Sequence, residues 1–478
     1  MMFIATLTIV ISIVECNLHR RLALSGLLLF GTRPERLTLG ILLVSCFLSV
    51  WVNNVAITAM MVPVVERICD ELFGDVLRTT DADEDQRRGL DGTTTMNGAD
   101  RSLAAPVAAH RHAVDVESRT LLSDGKYHSD EIVGQAKRVR MCLFLSVMYG
   151  SNIGAVTTIT SAASNLVFSS IMSFLYEGAR TPVDYMSWML YSLPITLVSV
   201  LLSFVCVWLL FFYRRPTLPT KPGNFIREQY IALGPTSFAQ YTVLTLFVTL
   251  VALWMLRDPT FLRGWATFFE YRPKDSTVAV AVVLLLLIIP RDLANLGGPS
   301  ILTWKAIQGR LSWTIILLVG SNFALAEAAL HSGLSDWMSS HLGLLSELHP
   351  KLVCFVLSVF ASLISEVLAN AGVVAIFIPI FAKLAESTGV NPLLYMITPT
   401  IASNFCFLLP VGTPANTIIY ESTNITIRDF FIPGALVKIC TTIGCLVAIL
   451  LASDPILGTN TFPDWLSSQN DTLVASTG

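Results

Sequence analysis

Hydrophobic residues fall into long runs along most of the chain, and these runs predict membrane-spanning helices. A hydrocarbon core about 30 Å thick needs roughly 20 apolar residues of helix. Runs of this length lie at 186–213, 240–258, 311–330 and 431–453. Shorter runs lie at 1–14 and 277–290, and two longer runs, 141–176 and 393–420, are interrupted by small and polar residues. The pattern predicts an all-α, polytopic membrane protein.

Two further apolar stretches predict re-entrant helical hairpins instead of simple spans. The stretch 37–69 contains an Asn pair and a Pro near its middle, and the stretch 352–385 contains a lone Asn and a Pro. Backbone can leave the helical pattern at membrane depth only where it lines a cavity or is buried in protein. We therefore expect both breaks to lie at a binding site.

The two hairpin stretches share a spacing that indicates an internal repeat. The shared positions are Ser49, Asn54 and Pro63 in the first stretch and Ser365, Asn370 and Pro379 in the second. A second polar break follows each stretch, at 151–165 and at 403–416. Paired broken segments in two halves point to a secondary transporter with inverted repeats. Exposed N–H groups there attract an anion, and free carbonyls coordinate a cation.

Composition supports the membrane interpretation and excludes several other classes. Hydrophobic residues make up 53% of the chain and charged residues 14%, against about 25% charged in soluble domains. The net charge of −3 without a basic stripe argues against a nucleic-acid partner. The nine cysteines show no CxxC spacing, so we expect no zinc site or disulfide framework. Neither GxSxG nor HExxH occurs, and we expect no enzyme activity.

Charge placement predicts the orientation of the chain. Charged residues concentrate in 70–140, which we expect to be a disordered cytoplasmic loop. Lys and Arg in the short connecting segments are more frequent on the same side, which follows the positive-inside rule. The tail 454–478 is then extracellular, and its Asn470, in an Asn-Asp-Thr sequon, is a predicted glycosylation site. We expect the plasma membrane as the location.

Several motifs resemble those of the divalent anion/sodium symporter family, which comprises the sodium-coupled dicarboxylate, citrate and sulfate cotransporters. The segment 17–21 is similar to the family's interfacial helix, and 51–63 to its first hairpin tip. Residues 366–370 resemble the second tip. The sequence Pro-Val-Gly-Thr-Pro-Ala-Asn at 410–416 is close to the family's Pro-Val-Ala-Thr-Pro-Pro-Asn.

The resemblance implies a fold and an activity. The fold would be an inverted repeat with two re-entrant hairpins, normally a homodimer in the lipid bilayer, with an elevator-like transport domain. The activity would be transport of a small di- or tricarboxylate anion of the succinate or citrate class, with sulfate as another candidate and Na+ as the coupling ion. The expected segments are 1–36 (membrane and interfacial helices), 37–69 (first hairpin), 70–140 (loop), 141–213 (broken helix and span), 240–330 (scaffold spans and first helix of repeat two), 352–385 (second hairpin), 393–453 (broken helix and last span) and 454–478 (tail).

The resemblance also implies ligand sites. The first sodium ion would be held by Ser49, Asn54 and carbonyls of the break at 153–165. The second would use Ser365, Asn370 and carbonyls near Gly412. The carboxylate substrate would lie between the tips, against Asn54, Asn370, Thr413 and the backbone at Pro414.

Each of these residues also has a purely structural interpretation. Asn54 and Asn370 would serve as helix caps, and Thr413 would belong to an ordinary turn. Ser49 and Ser365 would each bond a backbone carbonyl one turn back. Glu366, an acidic residue in an apolar stretch, would either steady the hairpin or act directly, because intramembrane carboxylates are costly and usually functional.

The chain departs from the family pattern at several places. The family's Ser-Asn-Thr is Asn-Asn-Val at 53–55 and Ala-Asn-Ala at 369–371, and its Gly-Thr-Gly-Pro-Asn is Ser-Ala-Ala-Ser-Asn at 161–165. The family normally has about three spans before the position matching Met1, so we expect the sequence to begin inside a longer protein. The alternatives are a sodium-independent exchanger or facilitator and a truncated, non-transporting subunit.

Overall fold

The computed structural model describes residues 2–91, 132–176, 182–213, 225–257, 263–292, 297–311 and 347–466, except residues 32, 272, 424 and 464, together with scattered positions between 295 and 337. Side chains of residues 2–3, 74–91 and 225 are not described. Within these residues the regular structure is helical, apart from an isolated antiparallel bridge between Pro290 and Ser300. The fold class is thus the predicted all-α class.

The first half of the chain contains a run of helices that begins with two at the amino terminus. Their bounds are α1 Met2–Glu15, α2 Leu18–Leu28, α3 Pro34–Trp51, α4 Asn54–Asp91, α5 132–154, α6 Ala163–Leu175, α7 Tyr185–Phe212, α8 Phe225–Ala232 and α9 Phe238–Met255. Each predicted interruption lies between two helices here. One separates α3 from α4, and the other separates α5 from α6.

The second half repeats this helix–break–helix order. Its helices are α10 Asp275–Ile288, α11 Trp304–Arg310, α12 Pro350–Ile364, α13 Asn370–Ser387, α14 Pro392–Ser403, α15 Pro414–Thr423, α16 Ile427–Leu451 and α17 Ser453–Leu457, with a short 3-10 helix at Trp265–Phe268 before them. The described positions between 313 and 331 are also helical. The breaks separate α12 from α13 and α14 from α15, as the sequence predicts. That the two halves are inverted copies stays a prediction.

Five of the described helices are long and apolar enough to cross a membrane, namely α3, α7, α9, α13 and α16. Helices α7 and α16 expose large apolar side chains, among them Leu197 and Leu201 of α7 and Ile439 of α16. Small hydroxyl side chains lie on the opposite face of α7, where it packs along α16. Small residues at such contacts let membrane helices approach closely. These features define an integral membrane protein.

The charged stretch differs from the disordered loop that we expected at 70–140. Helix α4 continues without interruption to Asp91, and α5 starts at residue 132. Residues 92–131 lie outside the described residues. The sequence 75–91 contains many residues of good helix propensity, among them Glu, Gln, Arg and Leu. Composition alone does not distinguish such a helix from a disordered segment.

Candidate functional site

The first tip lies between α3 and α4, where the chain is extended at Val52. Asn53 Oδ1 accepts a hydrogen bond from the backbone N–H of Val55 at 3.0 Å, so Asn53 caps α4. Asn54 is the first residue of α4, and its own Oδ1 also accepts from Val55 N–H. Its amide nitrogen points away from the helix toward α5. Asn54 is therefore not only a cap.

The end of α5 holds this tip through hydroxyl groups. Ser49 Oγ donates to the carbonyl of Ser151 at 2.6 Å, and the hydroxyls of Thr58 and Ser151 lie 2.8 Å apart. Thr158 Oγ1 donates to the carbonyl of Val50 at 2.6 Å. Ser49 thus bonds a residue distant in sequence, and not a carbonyl one turn back in its own helix. Its oxygen lies beside the break where the sequence predicts a sodium site.

The break between α5 and α6 turns backbone carbonyls inward. Ser161 Oγ and Asn165 Nδ2 both donate to the carbonyls of Ala155 and Thr158, at 2.5 to 3.1 Å. All four residues are buried. Both carbonyls belong to the segment 153–165, where a sodium site is predicted, and the two polar side chains fix their orientation. Serine and asparagine supply the hydrogen bonds in a segment where the related family pattern has glycines.

Glycines permit the close contact between α3 and α5. A Cβ atom on Gly154 would overlap the carbonyl group of Cys46, and one on Gly150 would overlap the carbonyl of Leu42. Only glycine allows backbone to approach backbone so closely. The contact fixes the position of the α5 end, and with it Ser151, against the first tip.

The second tip lies between α12 and α13. Ser365 Oγ donates to the carbonyl of Ser362 at 2.9 Å, which is the structural interpretation of this residue. The thiol of Cys406 lies 3.0 Å from the Ser365 carbonyl, 3.1 Å from Ser365 Oγ and 3.1 Å from Asn370 Oδ1. A Cβ on Gly412 would be 3.5 Å from the carbonyls of Ser365 and Glu366. The predicted residues Ser365, Asn370 and Gly412 thus lie together.

Cys406 is a residue of this cluster that sequence reasoning missed. Its sulfur lies among the oxygens of Ser365 and Asn370, which the resemblance assigns to the second sodium ion. The sequence contains a signal for Cys406, because two segments begin with the same Ser-Asn pair. They are Ser403-Asn404-Phe405-Cys406 and Ser151-Asn152-Ile153-Gly154. Aligning these two segments places Cys406 opposite Gly154, at the point of closest backbone approach in the other half.

Glu366 lies at the second tip and is fully occupied by hydrogen bonds. Its carboxylate accepts from the backbone N–H groups of Phe407, Leu408 and Leu409 at 3.0 to 3.1 Å. It also receives a hydrogen bond from Lys438 Nζ at 2.5 Å. This arrangement agrees with the interpretation in which Glu366 steadies the hairpin.

Lys438, on α16, was not among the predicted site residues. Its ammonium also donates to the carbonyls of Ser362 at 2.7 Å and Phe405 at 3.1 Å. The side chain is buried, and it connects α12, the second tip and the α14–α15 break. A lone Lys in the apolar run 431–453 was the available signal, since buried charges in membrane helices are rare and usually paired.

The α14–α15 break contains the predicted residues Thr413 and Pro414. Thr413 Oγ1 accepts from the N–H of Asn416 at 3.3 Å and donates to Asn416 Oδ1 at 3.0 Å. Thr413 therefore caps α15, and Pro414 occupies its first turn, where a missing N–H costs nothing. Asn416 Nδ2 donates to the carbonyls of Cys406 and Leu409. Thr413 therefore has a structural role as a helix cap, where the sequence suggested an ordinary turn, and its binding role stays a prediction.

Two asparagines connect the halves. Asn152 Oδ1 accepts from Asn54 Nδ2 at 2.8 Å, and Asn152 Nδ2 donates to Asn416 Oδ1 at 3.0 Å. Asn404 Nδ2 donates to Asn165 Oδ1 at 3.1 Å, and Asn404 Oδ1 accepts from Ser164 Oγ at 2.6 Å. The first and second clusters therefore form one buried polar network. The predicted glycosylation site Asn470 lies outside the described residues.

These observations define a class of protein: an all-helical polytopic membrane protein whose interrupted helices enclose a buried network of amides, hydroxyls and carbonyls. The sequence profile described as the sodium:sulfate symporter transmembrane region matches residues 1–457. The chain belongs to this family.

Several curated proteins align with nearly the whole chain. The Na(+)/citrate cotransporter of Rattus norvegicus is 30% identical, with 97% of this chain and 83% of the relative aligned. The sodium-dependent low-affinity dicarboxylate transporter 1 of Caenorhabditis elegans is 30% identical, over 99% of this chain and 81% of the relative. Solute carrier family 13 member 1 of Mus musculus is 30% identical, over 98% and 84%.

Proposed function

We propose that this protein is a secondary transporter that carries di- or tricarboxylate anions together with Na+. The observation that carries the proposal is the pair of oxygen clusters at the interrupted helices. One is buried around Ser49 and Asn54, and the other lies around the buried Ser365 and the half-buried Asn370. Carbonyl, hydroxyl and amide oxygens are the ligands that a hard cation takes at broken membrane helices. The sodium-coupled relatives support the choice of ion.

The proposed sodium ligands in the first cluster are Ser49, Asn54 and carbonyls of 153–165. In the second cluster they are Ser365, Asn370 and carbonyls near Gly412. The anion would lie between the two tips, against the amides of Asn54 and Asn370, with Thr413 and the backbone at Pro414. The N-terminus of α15 supports this placement, because the positive end of a helix dipole attracts a carboxylate.

Coupling to sodium follows from the energetics of moving an anion into a cell with a negative interior. The membrane potential opposes entry by about 2.3 kcal/mol per charge per 100 mV. Two or more sodium ions cancel or reverse this cost for a divalent anion. Citrate and dicarboxylates are the preferred substrate class, which the names of the relatives support, with succinate as the dicarboxylate to test. Sulfate is a candidate because of the family description.

The experiment that tests this function measures uptake of radiolabelled succinate, citrate and sulfate by the full chain in proteoliposomes. Replacing external sodium by choline should abolish uptake, and an inside-negative potential should accelerate uptake when more than two sodium ions move with a divalent anion. Uptake that continues unchanged in choline would overturn sodium coupling.

A second candidate is a sodium-independent exchanger of the same anions. It is favoured by the tips, where Val55 and Ala371 lack the hydroxyl groups that the resemblance leads one to expect. Stimulation of uptake by internal succinate without sodium would distinguish it. A truncated, non-transporting subunit would show neither activity, and it would suppress transport by a longer relative expressed beside it.

The mechanism and orientation complete the proposal. The tips and broken helices would move together as a transport domain against a scaffold that includes α9 and α10, in a homodimer at the plasma membrane. The carboxyl terminus would be extracellular. Replacing Asn470 by Gln would then remove an enzyme-sensitive glycan, seen as a shift in gel mobility, whereas a cytoplasmic tail would give no shift.

A further inference from the structure

The buried amide network joins the two proposed sodium sites through two asparagines. Asn152 lies at the end of α5 and Asn404 at the end of α14, and both are buried. Each follows a serine in the repeated Ser-Asn pair. Each also bonds an asparagine of the other half, because Asn152 contacts Asn416 and Asn404 contacts Asn165. Corresponding positions therefore make corresponding contacts across the centre of the molecule.

The connection from the first site to the second is continuous. Asn54 Nδ2 donates to Asn152 Oδ1, and Asn152 Nδ2 donates to Asn416 Oδ1. Asn416 Nδ2 in turn donates to the carbonyl of Cys406 at 3.0 Å. The thiol of Cys406 contacts Ser365 and Asn370 of the second tip. A series of four hydrogen-bonded links thus connects the two groups of proposed sodium ligands.

The second bridge follows an independent route. Ser164 Oγ and Asn165 Oδ1 belong to the start of α6, and both bond the Asn404 side chain. Asn165 Nδ2 also bonds the carbonyls of Ala155 and Thr158, which lie in the proposed first site. Asn404 additionally donates to the carbonyl of Thr400 within α14. The start of one broken helix is therefore tied to the end of the other.

We propose that Asn152 and Asn404 are positioning residues that couple the two sodium sites, so that filling one site orders the other. This inference rests on the proposed sodium coupling and deepens it. A sodium ion at the first site draws Asn54 Oδ1 toward itself and polarises the amide, which strengthens the Nδ2 bond to Asn152. Hydrogen bonds in a chain reinforce one another. The second site then needs less ordering when its own ion arrives, and the result is positive cooperativity.

The geometry also explains why asparagine is required at these positions. Asn152 accepts from one site and donates to the other with the two ends of the same planar amide. An amide group has both a hydrogen-bond donor and an acceptor, so its two different partners fix its orientation. Alanine at this position has neither group, so the two clusters would keep their own ligands but lose the connection.

The test uses the purified full chain and measures two sodium titrations. One follows sodium binding without substrate at constant temperature, from the change in intrinsic tryptophan fluorescence, and the other follows succinate uptake in proteoliposomes at saturating succinate. Two strongly coupled sites give a Hill coefficient approaching about 2, whereas independent sites give about 1. We expect the wild type to be cooperative and Asn152→Ala to fall toward independence in both titrations.

Two further variants keep the test decisive. Asn404→Ala removes the other bridge and should also lower the Hill coefficient, so it replaces Asn152→Ala if that variant does not fold. Ser146→Ala is the matched control, because Ser146 is buried in the same helix α5 and bonds only the carbonyl of Cys142 there, at 2.7 Å. It should leave the Hill coefficient unchanged.

The outcomes separate this inference from the proposed function. A folded Asn152→Ala or Asn404→Ala protein that keeps the wild-type Hill coefficient overturns the coupling role, even if both variants bind sodium more weakly. A wild type without cooperativity also overturns it. If the wild type binds sodium cooperatively but shows no uptake, the transport proposal fails and the coupling stands.

Discussion

Lys438 on α16 donates a hydrogen bond to the carboxylate of Glu366 at the second tip, with 2.5 Å between Nζ and Oε1. Both side chains are buried, and the pair is further satisfied by two backbone carbonyls and three backbone N–H groups. Removing one partner of a buried ion pair leaves an uncompensated charge, which costs roughly 3–5 kcal/mol. A buried ion pair therefore stabilises the second tip, whereas hydrogen bonds of hydroxyl groups stabilise the first.

Breaking this pair should destabilise the protein. We expect Lys438→Met and Glu366→Gln each to lower the thermal unfolding midpoint in detergent by several degrees, and the double variant to lose less than the sum of the two. Lys305→Met, at an exposed position on α11, is the control and should change the midpoint little. An unchanged midpoint in Lys438→Met would contradict the role assigned to the pair.

The close contact between α3 and α5 predicts a strong effect at Gly154. A methyl group there would overlap the carbonyl of Cys46, so Gly154→Ala should push the end of α5 away from the first tip. We expect weaker stabilisation by sodium, measured as a smaller rise in the unfolding midpoint at each sodium concentration.

Gly309 supplies the matched control for that substitution. It lies in helix α11 with open space around its Cα, and replacing glycine by alanine in a helix gains up to about 1 kcal/mol. Gly309→Ala should leave the sodium titration unchanged. Equal titration curves for Gly154→Ala and the wild type would show that the contact does not position the site.

Val55 provides a gain-of-function prediction at the first tip. Val55→Thr keeps the side-chain shape and restores the hydroxyl of the family pattern, and a hydrogen bond to a charged carboxylate contributes about 1.5–3 kcal/mol. We expect the KM for succinate to fall by roughly tenfold or more, since about 1.4 kcal/mol corresponds to a factor of ten.

Val62→Thr is the control for this experiment, because Val62 lies two turns further along α4 and away from the tip. It should not lower the KM. A KM for Val55→Thr that equals or exceeds the wild-type value would argue that residue 55 does not face the anion.

Cys206 and Cys440 predict a cross-link between α7 and α16. Their sulfur atoms are 3.3 Å apart, and both thiols are free. A disulfide needs about 2.05 Å between the sulfurs, which a small side-chain rotation can provide. Oxidation with copper phenanthroline should join these two residues, detected by mass spectrometry of peptides from the protein without reduction. The buried Cys445 should remain a thiol.

The same cross-link tests whether α7 and α16 move as one body. They pack closely, and a Cβ on Gly444 would lie 2.5 Å from Ser199 Oγ. We expect the oxidised protein to transport succinate at the rate of the reduced protein. Loss of transport that a reductant restores would instead show that the two helices shift relative to each other during the cycle.

Much of the fold could be predicted from the sequence, because apolar runs and polar interruptions carry local information. The span expected at 186–213 corresponds to α7, and the breaks expected after Ser49 and Ser365 occur between helices. The charged stretch was predicted less well, since helix α4 continues to Asp91. A high content of charged residues predicts contact with solvent, and this is compatible with a helix as well as with a disordered segment.

The candidate site was predicted only in part. Ser365, Asn370 and Gly412 lie together as the family resemblance implied, but Cys406 and Lys438 were missed. The repeated Ser-Asn pair and the lone Lys in an apolar run mark these positions in the sequence, but neither feature identifies the partners. Their contacts are made by residues far away in the chain.

The sequence by itself determined that the protein is helical, that it lies in a membrane and that it has two pairs of interrupted segments. These properties follow from hydrophobicity and from the cost of unpaired backbone groups in lipid, both of which act locally. Only the tertiary structure decided that Asn152 meets Asn416 and that Lys438 meets Glu366. Such pairs form because packing brings distant segments together, and a buried polar group must then bond whatever faces it.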